Sequence, residues 1–292
     1  MNMEWKPIKI SDKISGDRIL ERISGSKNKY ISRFGNYLEY VWQYRAMVTT
    51  AVEKDFKGRF KYTALGYGWH LLNPLTHILI YYLIFTALLG RDIPNYWLYI
   101  SSGMFAFSFC STIITQGAGS IVGNSRMITK IAFAREVLVI TKVCIQLITL
   151  TISYVILALL VGISGVGLTW YVLWLPVIMI MMATFSAGVA YLFSGIIVYY
   201  RDIQNALNIV MGCMLFMVPV IYLAEKRSSP FMDFIWSINP LYYYIETVHN
   251  VLWAGIPPDW SFMIIGAVAA AVTLIVGLLV FKKLEHGFAE RL

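Results

Sequence analysis

Six stretches of this chain run for 19 residues or more without one Asp, Glu, Lys or Arg: 72–90, 96–118, 143–162, 171–199, 206–224 and 261–281. A bilayer core about 30 Å thick is crossed by roughly 20 mostly apolar residues in helical form, because a helix satisfies its own backbone hydrogen bonds in lipid. The sequence therefore predicts an all-α integral membrane protein with six transmembrane helices. Composition agrees, since 14% of the 292 residues are charged, against about 25% in soluble domains.

Lys and Arg of short loops stay on the cytoplasmic side of a membrane, so their distribution orients the chain. With 1–71, 119–142, 200–205 and 282–292 on one side, that side holds 21 basic residues, and the other holds Arg91, Lys226 and Arg227. Both termini are expected in the cytoplasm. The same asymmetry explains the net charge of +8 without nucleic-acid binding.

The remaining segments divide by pattern. Residues 1–33 are polar and without period, a cytoplasmic arm. From Phe34, apolar residues recur at three- and four-residue steps through Leu38, Val41, Tyr44, Val48, Val52 and Phe56, so 34–60 reads as an amphipathic helix lying in the interface before the transmembrane domain 61–292. A helix packed on a soluble domain is the rival placement. Between the second and third crossings, 123–136 mixes apolar and basic residues at helical spacing, offering a short helix that a partner or the lipid surface covers. After the fifth crossing, the apolar stretches 231–238 and 241–253 are split by Asn239-Pro240 and contain Asp233, Glu246 and His249. Two short re-entrant or interfacial helices fit these residues better than a seventh crossing, which would carry the basic C-terminus outside.

What the runs lack excludes function classes. No Asp, Glu or Lys stands at membrane depth to couple protons or ions. The phosphate-cradling pattern G-x-x-x-x-G-K-[ST] is absent, so ATP is not bound by that route. No Cys or His spacing indicates a metal, and Cys110, Cys144 and Cys213 fall inside apolar runs, where thiols pack rather than pair. Aromatic residues are plentiful, with 19 Tyr, 16 Phe and 9 Trp. Those near span ends serve as interface belts. Deeper rings, such as Tyr81, Tyr82, Phe85, Phe105 and Phe107, either pack or line a path on which sugars stack, with packing the commoner role at any one position.

The order of these features, together with Asp55-Phe-Lys-Gly-Arg-Phe-Lys-Tyr-Thr-Ala-Leu-Gly66, Trp69, Asn73-Pro74, Tyr199-Tyr-Arg-Asp202, Asn239-Pro-Leu-Tyr242, Gly255, Pro257, Phe281-Lys-Lys-Leu-Glu285 and Phe288-Ala-Glu290, resembles the permease subunits of type-2 ABC exporters. Within that class it is most similar to the branch that exports polysaccharides and polyol phosphates, over about residues 34–292. One departure is Ala134, where that branch commonly has proline before Arg135-Glu136.

The resemblance implies a homodimer working with two separate nucleotide-binding subunits that hold ATP and Mg, this chain binding no cofactor of its own. It further implies that 123–136 is a coupling helix, with Arg126, Met127, Ile128, Lys130 and Ile131 seated in a groove of the ATPase and Glu53 flanking it. Segment 231–253 would form outer gate helices, with Tyr242, Tyr243 and Tyr244 beside the sugar path. The cargo would be a glycan on a polyprenyl diphosphate or a teichoic-acid-like polymer. Arg59 and Lys61 stand where they would meet the diphosphate, although charge-based anchoring explains them equally. A related permease exporting a small hydrophobic drug or lipid is the alternative within the class, and a passive channel or scaffold the alternative outside it.

Overall fold

In the computed structural model, which describes residues 44–60, 69–84, 94–129, 133–224 and 230–292, every regular element is a helix, and Ala46–Leu292 pack as one unit. Helices α1 (Arg45–Phe60) and α2 (Trp69–Tyr81) lead into α3 (Tyr96–Ala118), then the short turns α4 (Ser120–Gly123) and α5 (Ser125–Ile128). Next come α6 (Glu136–Ser164), a 3-10 turn at Trp170–Trp174, α7 (Leu175–Tyr199) and α8 (Asp202–Met217). The chain ends with α9 (Pro230–Ile238), α10 (Pro240–Leu252), α11 (Trp260–Glu285) and α12 (Phe288–Arg291).

Local chemistry sets these limits. Pro176 sits in the first turn of α7, where its missing N–H is no loss. Asp259 caps α11 by accepting a 2.8 Å bond from the Ser261 amide. Gly165 ends α6 in the left-handed region at φ 77°, which a residue with a Cβ rarely adopts.

Among the described residues, four helical segments are long and apolar enough to cross a bilayer: Tyr96–Ala118, Glu136–Ser164, Trp170–Tyr199 and Trp260–Glu285. Of these, α3 lies innermost, with most of its side chains buried, packed against α6, α7 and α10. On α11 the two faces differ by size rather than polarity. Met263, Gly266, Ala270, Gly277 and Phe281 are buried, while Ile264, Ile265, Val268, Val272, Ile275, Val276 and Leu279 are exposed. So apolar an outer face suits lipid, which is as apolar as leucine and leaves close packing to select small residues for the inner face. Gly188 on α7 and Gly277 on α11 make that contact, because a Cβ on Gly277 would fall on the Gly188 carbonyl.

The other two apolar runs are not full-length helices among the described residues. In the first, helical structure is described over Leu72–Ile84, and 85–90 lie outside the described residues. In the fifth, the expected crossing 206–224 is corrected: α8 begins earlier, at Asp202, and stops at Met217, because Pro219 holds Val218 in an extended conformation. The freed backbone is then satisfied by side chains. Tyr99 donates its hydroxyl to the carbonyls of Pro219 at 2.9 Å and Tyr222 at 2.8 Å, Tyr96 donates to Ile221, and Trp236 Nε1 donates to Met217 at 3.1 Å. Non-helical backbone persists in an apolar setting only with such partners.

The single helix expected over 123–136 is also corrected. Asn124 interrupts it, giving the four-residue turns α4 and α5, while Phe133 and Ala134 are not helical and Glu136 already belongs to α6. Within 231–253 the chain forms α9 and α10, divided at Asn239, whose side chain accepts a 3.1 Å bond from the Leu241 amide. Neither is long enough to span. Residues 1–33, and 34–43 of the expected interface helix, lie outside the described residues. The described part of that helix, α1, half-buries Met47, Val48, Ala51, Val52 and Asp55 along one stripe, and leaves Thr49, Thr50, Glu53 and Lys54 exposed.

Candidate functional site

Three groups of functional side chains emerge, at the two ends of the bundle. At the α3 C-terminal end, α5 exposes Arg126 and half-exposes Met127 but turns Ile128 into the core. The turn therefore offers one cation and one flexible apolar side chain. Lys130 and Ile131 lie outside the described residues. Glu53 is exposed on α1, Arg59 belongs to the last turn of the same helix, and Lys61 is outside the described residues.

Directly after this segment, a knot of charge ties the start of α6 to the end of α11. Glu136 is 0% exposed and ion-paired to Lys282, which also meets Glu285 at 3.2 Å. Arg135 donates to the Glu285 carbonyl at 2.5 Å and stands 5.5 Å over the Phe288 ring, and Tyr191 donates to the Glu136 carbonyl at 3.2 Å. Lys142, one turn and a half further along α6, reaches back to Asp55 of α1 at 2.5 Å. Sequence reading missed this knot because it stopped the third crossing short of Glu136 and Lys142; charges flanking an apolar run were the available signal.

At the opposite end, the irregular backbone after α8 is gripped by aromatic side chains. Tyr222, Trp236 and Tyr242 form a continuous stack, the second pair 5.4 Å apart and parallel within 1°, with Tyr243 and Phe262 edge-on to one another at 5.2 Å. Beside it His249 is buried, its ring 3.8 Å from that of Tyr99 and its Nδ1 3.5 Å from the Glu246 carboxylate. Burial pushes the His249 pKa down, against the pull of Glu246. Gly103 makes this fit possible, since a Cβ there would strike His249 Nε2.

Of the residues expected along a sugar path, the structure gathers Tyr242 and Tyr243 in this aromatic cluster, half-buried. Tyr81 packs against the neighbouring Tyr96, Tyr99 and Ile100, whereas Tyr82 is exposed. Phe105 is half-buried, 6.5 Å from Tyr154. Phe107 and Tyr244 are core residues, the latter donating to the Gly266 carbonyl at 2.6 Å, and Phe85 lies outside the described residues. Tyr99→Phe removes the hydroxyl shared by two carbonyls of the broken segment, and is expected to lower stability by about 1–3 kcal/mol. The readout is the thermal midpoint of the detergent-purified protein; no change in that midpoint contradicts the role given to the hydroxyl.

The third group is a polar pocket of about 530 Å³ between the end of α3, α4, the start of α6 and α8. Thr115, Gln116, Ser120, Asn124, Gln204 and Asn208 line it together with Lys142. None of the sequence patterns pointed to it, because its residues come from four separate elements.

The sequence pattern of the family described as ABC-2 type transporter matches residues 47–253. The O-antigen export system permease protein RfbA of Klebsiella pneumoniae is 29% identical over 256 residues, covering 87% of this chain and 96% of its own. Its counterpart of the same name from Myxococcus xanthus is 26% identical over 251 residues, 86% of this chain and 96% of its own. The polysialic acid transport protein KpsM of Escherichia coli is 22% identical over 246 residues, 80% and 91% of the two chains.

Proposed function

This chain belongs to the ABC-2 type transporter family, and from that membership we infer that it is the membrane-spanning subunit of an ABC polysaccharide exporter, a multi-pass inner-membrane protein. Likeness to O-antigen export permeases over 96% of their length carries this reading. The finer arrangement is our proposal. Two copies of the chain assemble with two ABC ATPase subunits that hold ATP and Mg, both termini face the cytoplasm, and a glycan carried on a polyprenyl diphosphate moves outward between the copies.

In this scheme Arg126 and Met127 of α5 contact the ATPase, the thioether as anchor and the guanidinium toward an acidic rim. Glu53 of α1 flanks them. Lys130, Ile131 and the diphosphate-facing Arg59 and Lys61 keep the roles that the family resemblance gives them. Support for force transmission comes from the charge knot: a push on α5 passes through Arg135 and Glu136 to Lys282, and so to α6 and α11 together. At the outer end α9 and α10 act as re-entrant gate helices. Their stack on Tyr222 links them to the broken end of α8, so that a shift of α8 opens or closes them.

The test is reconstitution with the cognate ATPase in proteoliposomes, together with complementation of a strain that lacks this chain. The chain is expected to stimulate ATP hydrolysis and restore glycan at the cell surface. Met127→Asp is expected to lower the stimulation about tenfold, the equivalent of about 1.4 kcal/mol of lost contact. Stimulation unchanged by Met127→Asp removes the proposed ATPase contact, and failure to restore surface glycan removes the export reading.

A further inference from the structure

We propose that the polar pocket between α3, α4, α6 and α8 is a saccharide-binding site, which receives the glycan by its hydroxyl groups at the cytoplasmic face before it enters the membrane path. The proposal rests on the export function above and adds to it the place and the chemistry of recognition.

The lining is built for a neutral polyol. Thr115 and Ser120 spend their hydroxyl protons on the backbone carbonyls of Ser111 and Gly117, and Asn124 donates to the Ser120 carbonyl, which leaves their side-chain oxygens as acceptors. Gln116 and Asn208 are exposed and present amide donors. Gln204 uses its Nε2 on the Thr115 carbonyl at 3.2 Å, while its Oε1 is buried against Gly119 with no hydrogen-bond partner. That oxygen is closed off from the pocket, so the groups on offer to a ligand are the exposed amides of Gln116 and Asn208 and the acceptor oxygens beside them.

Charge argues the same way. Among the described residues, Lys142 is the one charged side chain of the lining, and its ammonium is held 2.5 Å from Asp55, so these residues offer no unpaired cation to draw in a phosphate. Mixed donors and acceptors without net charge match the alternating demands of sugar hydroxyls. A volume of about 530 Å³ falls within the roughly 300–1,000 Å³ typical of small-ligand sites, room for a short stretch of saccharide. Among the described residues no aromatic ring lines the pocket, so none of them locks a stacked sugar in place, which suits a polymer that has to slide onward.

Cysteine protection tests this in the whole complex. In a chain whose Cys110, Cys144 and Cys213 are replaced by Ala and which still restores surface glycan, Gln116→Cys and Asn208→Cys are labelled with N-ethylmaleimide in inside-out vesicles. The vesicles come from cells that make the glycan, or from cells lacking the transferase that begins it, with the ATPase arrested. Glycan is expected to slow labelling at both positions about fivefold or more, the protection given by a ligand at several times its Kd. Lys283→Cys, exposed on α11 outside the pocket, is expected to label equally in both. Equal rates at Gln116→Cys and Asn208→Cys in the two kinds of vesicle overturn the proposal. So does slow labelling in both, which assigns the pocket to a second copy of the chain, and so does protection by polyprenyl diphosphate alone, which assigns it to the lipid headgroup. Failure of the unsubstituted chain to restore surface glycan overturns the export reading instead, so the two failures are told apart.

Discussion

Gly277→Leu is expected to leave almost no correctly packed protein. A Cβ at Gly277 falls on the Gly188 carbonyl oxygen, and a Cβ at Gly188 falls on the Thr273 peptide, so α7 and α11 touch backbone to backbone at this crossing. Where the obstacle is a flexible side chain a rotamer change relieves it, but here one whole helix has to move away from the other. Overpacking a well-filled core typically costs about 1–3 kcal/mol, and this site stands at or beyond the upper end, because separating α7 from α11 also strips contact from Gly195, which lies against Phe281 and Leu284. Membrane helices have no hydrophobic force to draw them back together once close packing is lost. Gly188→Leu is expected to behave in the same way, and Gly162→Ala, with no atom near its would-be Cβ, to be silent. The measurement is the yield of monodisperse protein in detergent and its thermal midpoint. A Gly277→Leu protein purified in normal yield with an unchanged midpoint contradicts the crossing as drawn.

That crossing illustrates what the sequence discloses and what it hides. Membrane residence was legible from the absence of charge alone, and Tyr96–Ala118 is a helix over the same residues as an uncharged run. Which face of a helix turns inward was not, because the exposed Leu279 and the buried Phe281 are equally apolar and the usual amphipathic signal vanishes. Size carries the information instead, as with Gly266, Ala270 and Gly277 on the inner stripe of α11. The fifth run failed for a related reason: counting charges passes straight through Pro219, whereas the backbone cannot. Tyr96 and Tyr99, which satisfy that break, stood in the sequence as plausible interface aromatics, and nothing local linked them to carbonyls more than 100 residues away. Of the candidate residues, Arg126 was legible from its loop as an exposed cation. The polar pocket was not, since Gln116, Asn124 and Gln204 meet only once α3 and α8 have packed.

Lys282→Leu and Glu136→Gln are expected to differ sharply although each removes one half of the same ion pair. Glu136 is 0% exposed and Lys282 is its ion-pair partner, while the lysine side chain is 42% exposed and keeps Glu285 at 3.2 Å. Removing the cation therefore abandons a fully buried carboxylate, a change that typically costs about 3–5 kcal/mol. Removing the anion leaves an ammonium that still has water and a second carboxylate, and is expected to cost about 1 kcal/mol or less, as for a surface pair. The double change Glu136→Leu with Lys282→Leu puts apolar groups of similar length in both places, and is expected to recover most of the loss because no charge is left buried. Thermal midpoints of the three purified variants give the ordering, and export into a glycan-deficient strain adds a functional readout. Under the proposed transmission of force through the knot, the double variant is expected to regain stability without regaining full export. Equal midpoints for the two single variants contradict the buried pair, and a double variant that exports at the parental rate limits the knot to holding the fold.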